Sequence, residues 1–321
     1  MGNLISFMKE VADELQERGH YGTAHIYRSS MNSLIGFYGG RHLPFQKVTP
    51  GFLKKFEIHL RENDCSWNTV STYMRMVRAV YNRAVVLQLA PYVPHHFQDV
   101  YTGNKADRKR ALEADDMRTL ADALPERLAE GNKDLERTRD FFMLMFFLRG
   151  MPFVDLVYLK KRDLVGNEIS YRRRKTGRPL TVTLVEEAMR LVKKYMNTDP
   201  SSPYLFSFIT SGEGTEAAYK EYQLALRDFN YRLVLLKQVL GIDAGLSSYT
   251  ARHTWATLAY HCEVHPGIIS EAMGHSSITV TETYLKPFRN KKIDEANLTV
   301  ISSLRQPRKS SKHLKFSAVT L

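Results

Sequence analysis

Apolar residues recur at helical spacing along most of this 321-residue chain, and only one stretch, 168–184, switches to alternation. That contrast limits the fold to helix packed on helix, with one small sheet included. Residues 3–18 form an amphipathic stretch that stops at Gly19. A second helix, with Thr23 as its candidate cap, stops at Gly39-Gly40. Thr49-Pro50 sets a capping hydroxyl ahead of a proline at the first helical position and opens a third. Asn68 is the candidate cap of a fourth, 69–87, in which Val70, Tyr73, Met74, Val77, Val80 and Tyr81 share a face. Arg75, Arg78 and Arg83 fall mostly on the other face, either as a solvated basic surface or as one that tracks phosphates.

Pro91, Pro94 and the polar run 103–110 interrupt this pattern, and the run reads as an exposed linker that brings Lys109 and Arg110. Its charge suits a strap along a DNA backbone, as it suits a plain linker. Helices are expected at 113–124, 134–149 and 154–158, with Gly150 and Pro152 ending the second. Two strands follow, 168–174 and 180–184, with Leu180, Val182 and Leu184 alternating; the turn between them is Lys175-Thr176-Gly177-Arg178-Pro179. Helical spacing resumes at 186–195 and 215–240 and continues to Tyr284. From Ser302 the tail carries Arg305, Arg308, Lys309, Lys312 and Lys315 without an acidic residue, so it is either disordered alone or an arm that orders on a partner. The expected division is a helical DNA-binding unit at 1–102, a linker at 103–111, an α-rich catalytic unit with a small β-hairpin at 112–290, and a basic tail at 291–321.

Lys and Arg outnumber Asp and Glu by 46 to 34, a formal net charge of +12, which points to a polyanionic partner. Cys65 and Cys262 are too few and too far apart for a disulfide framework or a zinc cluster. The longest apolar run, 141–148, is far too short to span a bilayer, and the N-terminus lacks a signal-peptide core. The expectation is a cytoplasmic protein without membrane contact.

The segment 249–284, YTARHTWATLAYHCEVHPGIISEAMGHSSITVTETY, holds Arg252, His275 and Tyr284 in order. A guanidinium can grip two phosphate oxygens, a phenol can act as a covalent nucleophile, and an imidazole can hold or move a proton. Attack on a phosphodiester without a metal needs fixed positive charge, an in-line nucleophile and a proton for the leaving oxygen. Lys175, on a turn that can enter a cleft, is the candidate acid. Taken singly, each residue has a plainer explanation: a surface arginine, a loop histidine, an amphipathic tyrosine.

Together with RKTGRPLTV, YTARHTWAT, MGHSSITVTETY and, more weakly, LRGMPFVDL, the chain resembles the tyrosine recombinases of the phage-integrase type. The resemblance implies a SAM-like core-binding domain followed by the catalytic domain. It implies cleavage and rejoining of double-stranded DNA through a 3′-phosphotyrosine, with no metal or ATP cofactor. Lys175 would be the β-hairpin lysine, Arg252 the second arginine, His275 the His/Trp position, Tyr284 the nucleophile, and Asp155 the acidic support of the first arginine. Two departures stand out. Tyr249 replaces the usual histidine three residues before Arg252, and Pro152 stands where the first arginine should be. Arg149, one turn earlier, is the favoured substitute, with Arg139 in reserve. These departures resemble a branch common on Bacteroides-type transposons and invertible loci. A homotetramer on two DNA sites is implied, and a DNA-bending accessory protein is compatible. A non-catalytic DNA-binding protein of the same fold and a type IB topoisomerase are the rival readings.

Overall fold

The computed structural model describes residues 2–103, 110–122, 133–285 and 290–305. Lys109 and most of the basic tail, including Arg308, Lys309, Lys312 and Lys315, lie outside them. The chain is mainly helical, with one small antiparallel sheet.

The first unit packs α1 (Leu4–Glu17), α2 (Tyr21–Tyr38), α3 (Pro50–Glu62) and α4 (Trp67–Val86). Caps set their starts. Thr49 Oγ1 accepts from the Phe52 N–H at 3.1 Å, and Pro50 follows, as its sequence requires. Two other starts differ from expectation. Ser66, not Asn68, caps α4, accepting from Thr69 N at 3.2 Å. Helix α2 begins at Tyr21 behind His20, which leaves Thr23 inside its first turn. The apolar faces meet in a core of Leu4, Met8, Leu34, Phe45, Phe56, Met74 and Tyr81. Burying a side chain of that size stabilises by roughly 1.5–3 kcal/mol, so this face alone commits the four helices to one bundle.

The second unit has its own core. Helices α5 (Ala114–Ala121), α6 (Lys133–Phe147) and α7 (Phe153–Val157) lead into β1 (Leu164–Val165), β2 (Glu168–Arg172) and β3 (Pro179–Thr183). Then come α8 (Glu186–Tyr195), α9 (Glu216–Val239), α10 (Thr250–His261), α11 (Pro266–Ala272), α12 (Ile278–Glu282) and α13 (Asn290–Arg305). Phe141, Phe142, Leu144, Leu156, Tyr204, Phe206 and Leu233 fill the centre. The sheet runs β1-β2-β3 with Ile169 opposite Val182, and that pair is the buried one. Strand β1 was not evident from the sequence because its two residues carry no period.

Helix α6 ends abruptly. Arg149 (φ 58°) and Gly150 (φ 68°) are consecutive left-handed residues, and Pro152 then starts the entry to α7. A Cβ on Gly150 would lie 2.8 Å from Arg252 Cα, so only glycine lets α10 come this close. Among the described residues no helix is long and apolar enough to cross a membrane, and no cluster of His, Cys, Asp and Glu could hold a metal ion.

Candidate active site

Three elements converge behind the end of α6: the first turn of α10, the loop after α11, and the turn that leaves α12. Helix α10 carries Arg252, which is 2 % exposed. Its Nη1 donates to Gly150 O at 2.9 Å and its Nη2 to Met273 O at 2.7 Å. Nη2 also lies 2.8 Å from His275 Nε2. An arginine can only donate, so Nε2 accepts and the imidazole proton sits on Nδ1, where Thr281 Oγ1 receives it at 2.8 Å. Burial, followed by the charges of Arg252, Arg173, Lys175 and Arg178, pushes the His275 pKa down to about 3. At neutral pH His275 is therefore an acceptor that orients Arg252.

Helical spacing continues to Tyr284 in the sequence, but Tyr284 itself lies in the turn after α12. Helix α12 has only five residues, and Ser277 makes no side-chain cap bond. The Tyr284 carbonyl accepts from Thr257 Oγ1 at 3.0 Å, which ties the turn to α10. Its ring lies against His275 with centroids 5.0 Å apart, and the Arg252 guanidinium carbon sits 5.7 Å from its centroid. Its hydroxyl is 2.7 Å from that of Tyr249. Burial, and then Tyr284 nearby, raises the Tyr249 pKa to about 12, so Tyr249 stays a neutral phenol; it is also 40 % exposed, against 8 % for Tyr284.

Asp155, at 3 % exposure, accepts from Arg173 Nε at 3.2 Å and from the Arg174 N–H at 2.9 Å. Burial pushes its carboxyl up against these lowering influences. Arg173 is the residue that sequence reasoning missed. It follows β2 directly and is buried at 7 % exposure. Its Nη1 donates to Met273 O at 2.8 Å, the same carbonyl that Arg252 uses. Two guanidiniums therefore meet at one oxygen beside Tyr284. The signal lay in RRRKTG, where three adjacent arginines precede the hairpin turn. Alternation in β2 turns Arg172 outward, and the backbone then brings Arg173 inward, held by Arg178 O accepting from its N–H at 2.9 Å.

The other candidates sit farther out. Lys175 is exposed at the tip of the hairpin turn, near enough for its charge to bear on His275. Arg149 donates from Nη1 to Thr181 O on β3 at 3.2 Å. Arg139 is fully engaged elsewhere, with Nε and Nη2 on Asp140 (3.0 and 2.6 Å) and Nη1 on Asp122 O (2.8 Å). In the first unit Arg75 is exposed, Arg78 reaches Thr102 Oγ1 at 3.4 Å, and Arg83 pairs with both Glu14 oxygens at 2.9 and 2.8 Å. Arg110 is exposed at the end of the linker.

Residues 3–99 match the phage integrase SAM-like domain, and residues 110–291 match the phage integrase family. The chain belongs to that family, the tyrosine site-specific recombinases. It is 27% identical over 288 residues to tyrosine recombinase XerC of Roseiflexus castenholzii, covering 87% of each chain. It is also 27% identical over 152 residues to tyrosine recombinase XerA of Saccharolobus solfataricus, a match that spans 46% of each. Among solved structures, the Tn1549 transposon integrase in complex with a circular intermediate DNA has a similar fold (TM-score 0.66, 16% identity, 94% of this chain and 100% of that one). So does a lambda integrase tetramer bound to a Holliday junction (TM-score 0.64, 14% identity, 89% of this chain and 78% of that one).

Proposed function

We propose that this protein cuts and rejoins double-stranded DNA at a specific site through a covalent 3′-phosphotyrosine on Tyr284. The observation that carries the reading is the shared carbonyl: Arg252 and Arg173 converge on Met273 O, with the Tyr284–Tyr249 hydroxyl pair beside them. Two like charges held this close favour an anion between them, and a phosphate offers two non-bridging oxygens for the two forks.

Tyr284 Oη attacks phosphorus, and the bond to the 5′ oxygen breaks. Lys175, carried in on its turn, gives that oxygen its proton. The Tyr284 proton leaves along its hydrogen bond to Tyr249, which takes one proton in as it passes its own to solvent and stays neutral throughout. Arg252 and Arg173 hold the equatorial oxygens, and His275 fixes the orientation of Arg252. Arg173, supported by Asp155, fills the place of the first arginine that Pro152 leaves empty. The reverse attack by a 5′ hydroxyl restores the phosphodiester, so the energy of the broken bond is kept and neither a nucleotide nor a metal enters the scheme. Four protomers on two sites, with Arg75, Arg78, Lys109 and Arg110 along the backbone, would exchange strands between duplexes.

A nicked suicide duplex carrying the cognate site tests the reading. Denaturing gels should show covalent protein–DNA adduct for the native chain and none for Tyr284→Phe. Binding without adduct by the native chain would leave a DNA-binding protein of this fold. Relaxation of supercoils regardless of sequence would favour a topoisomerase.

A further inference from the structure

Between His275 and Tyr284 the chain runs through exposed residues, 276–280 and 282–283, and turns inward at Thr281. Helix α12 therefore carries an inverted pattern. Ile278 and Val280 are 43 % and 38 % exposed, while Thr281 is buried at 0 %. The inward position of a helix ordinarily takes an apolar side chain. Valine matches threonine closely in shape and has no hydroxyl to bury. The hydroxyl at this place answers a specific demand.

That demand comes from His275. Thr281 Oγ1 lies 2.8 Å from His275 Nδ1, and both side chains are buried. On the other side of the ring, Nε2 faces Arg252 Nη2 at 2.8 Å, a nitrogen that can only donate. One tautomer fits, with the proton on Nδ1 given to Thr281 and the lone pair on Nε2 turned to Arg252. The opposite tautomer would set N–H against N–H at Arg252. The acceptor at Nδ1 decides between the two.

Thr281 also belongs to the segment that holds Tyr284. Its carbonyl accepts from the Tyr284 N–H at 2.9 Å. The backbone of His275 is anchored on α11 instead, its N–H donating to Ser270 O at 2.9 Å. Thr281 thus joins the turn of Tyr284 to the imidazole that aims Arg252. Displacing that turn withdraws the hydroxyl from Nδ1 and frees the tautomer.

Resting on the DNA-cleaving reading above, we propose that Thr281 is a positioning residue that holds His275 in the tautomer able to orient Arg252, and does so while the Tyr284 turn is seated. The phosphate clamp is then complete when the nucleophile is in place and loosened when it is not.

The test uses the full chain with isotope-labelled histidine. Long-range proton–nitrogen correlation spectra at neutral pH read the His275 tautomer, its signals identified by their loss in His275→Gln. The native chain and Thr281→Ser should show the proton on Nδ1, and Thr281→Val should move it wholly or partly to Nε2. On the suicide duplex, Thr281→Val should form adduct roughly 10- to 100-fold more slowly, the scale for losing the partner that orients a ligating imidazole. Duplex affinity should be unchanged, and Thr281→Ser should cleave at close to the native rate. A native chain with its proton on Nε2 overturns the proposal without any variant. So does a Thr281→Val protein that keeps the native rate, or one that slows while its proton stays on Nδ1. Thr281→Ser as slow as Thr281→Val would reduce Thr281 to packing. If the native chain binds duplex but yields no adduct, the cleavage reading itself fails and the positioning role falls with it.

Discussion

The two units treat charge in opposite ways. In the first, Arg28, Arg83 and their carboxylate partners stay at the surface, and Glu57 is the buried carboxylate, satisfied by Lys54 Nζ and the Tyr101 N–H. The second buries Asp155, Arg173, Arg252 and His275 within one region. Burying an ion costs several kcal/mol unless good partners replace its water. The first unit is thus built for packing and offers surface charge, whereas the second spends stability on a buried cationic cluster. The lesson is that basic residues counted along a sequence divide into two kinds, and only burial tells them apart.

Removing one buried charge should break the second unit hardest. Arg173→Ala leaves Asp155 buried without its guanidinium. The expected result is a loss of adduct formation of about 1000-fold, the scale of removing a transition-state donor, and a stability loss of about 3 kcal/mol. Suicide-duplex kinetics and denaturant titration read both. Arg149→Ala should cost cleavage less than about tenfold, since Arg149 lies on the β3 edge; the reverse ranking would return the first-arginine role to Arg149.

Gly150→Ala tests the backbone that serves this cluster. A Cβ there meets Arg252 Cα at 2.8 Å and also adopts a left-handed φ. A loss of roughly 3 kcal/mol should appear in thermal or denaturant unfolding.

The pH dependence sharpens the contrast further. His275 stays neutral down to about pH 3 in the folded chain, whereas the ordinary histidine value is 6.5. Between these values the unfolded chain binds more protons, so stability present above pH 6.5 is lost as pH falls. His275→Gln, which keeps an acceptor for Arg252 but does not titrate, should lose less stability than the native chain from pH 7 to pH 4. Urea midpoints across that range check it. The smallest effect belongs to the first unit. Arg83→Ala breaks a pair that is about two-fifths exposed on each side and should change stability by no more than about 1 kcal/mol.

Much of this was legible in the sequence. The helices of the first unit follow from their apolar spacing, and Thr49-Pro50 marks a boundary by chemistry alone. Arg252, His275, Tyr284 and Tyr249 lie within 36 residues, and local order sufficed to group them. Arg173 was hidden because its burial is decided by Met273, a hundred residues later, and by the twist of a hairpin end. The start of α4 was misplaced by two residues because both Ser66 and Asn68 can cap, and only the hydrogen bond to Thr69 decides between them. The length of α12 was invisible for a similar reason: Thr257, on another helix, holds the Tyr284 carbonyl that a longer helix would have claimed.

Gly150 O, just past the end of α6, has one further consequence. Arg252 leans on carbonyls and an imidazole, while Arg173 shares its charge with Asp155. One guanidinium is thus buffered by a fixed anion and the other is not. A strand that has been rejoined must eventually let go, and a pair of unbuffered guanidiniums would hold it longest. On the proposed reading, the mixed pair would hold a phosphate with one full charge and one attenuated charge, a compromise between capturing it and surrendering it.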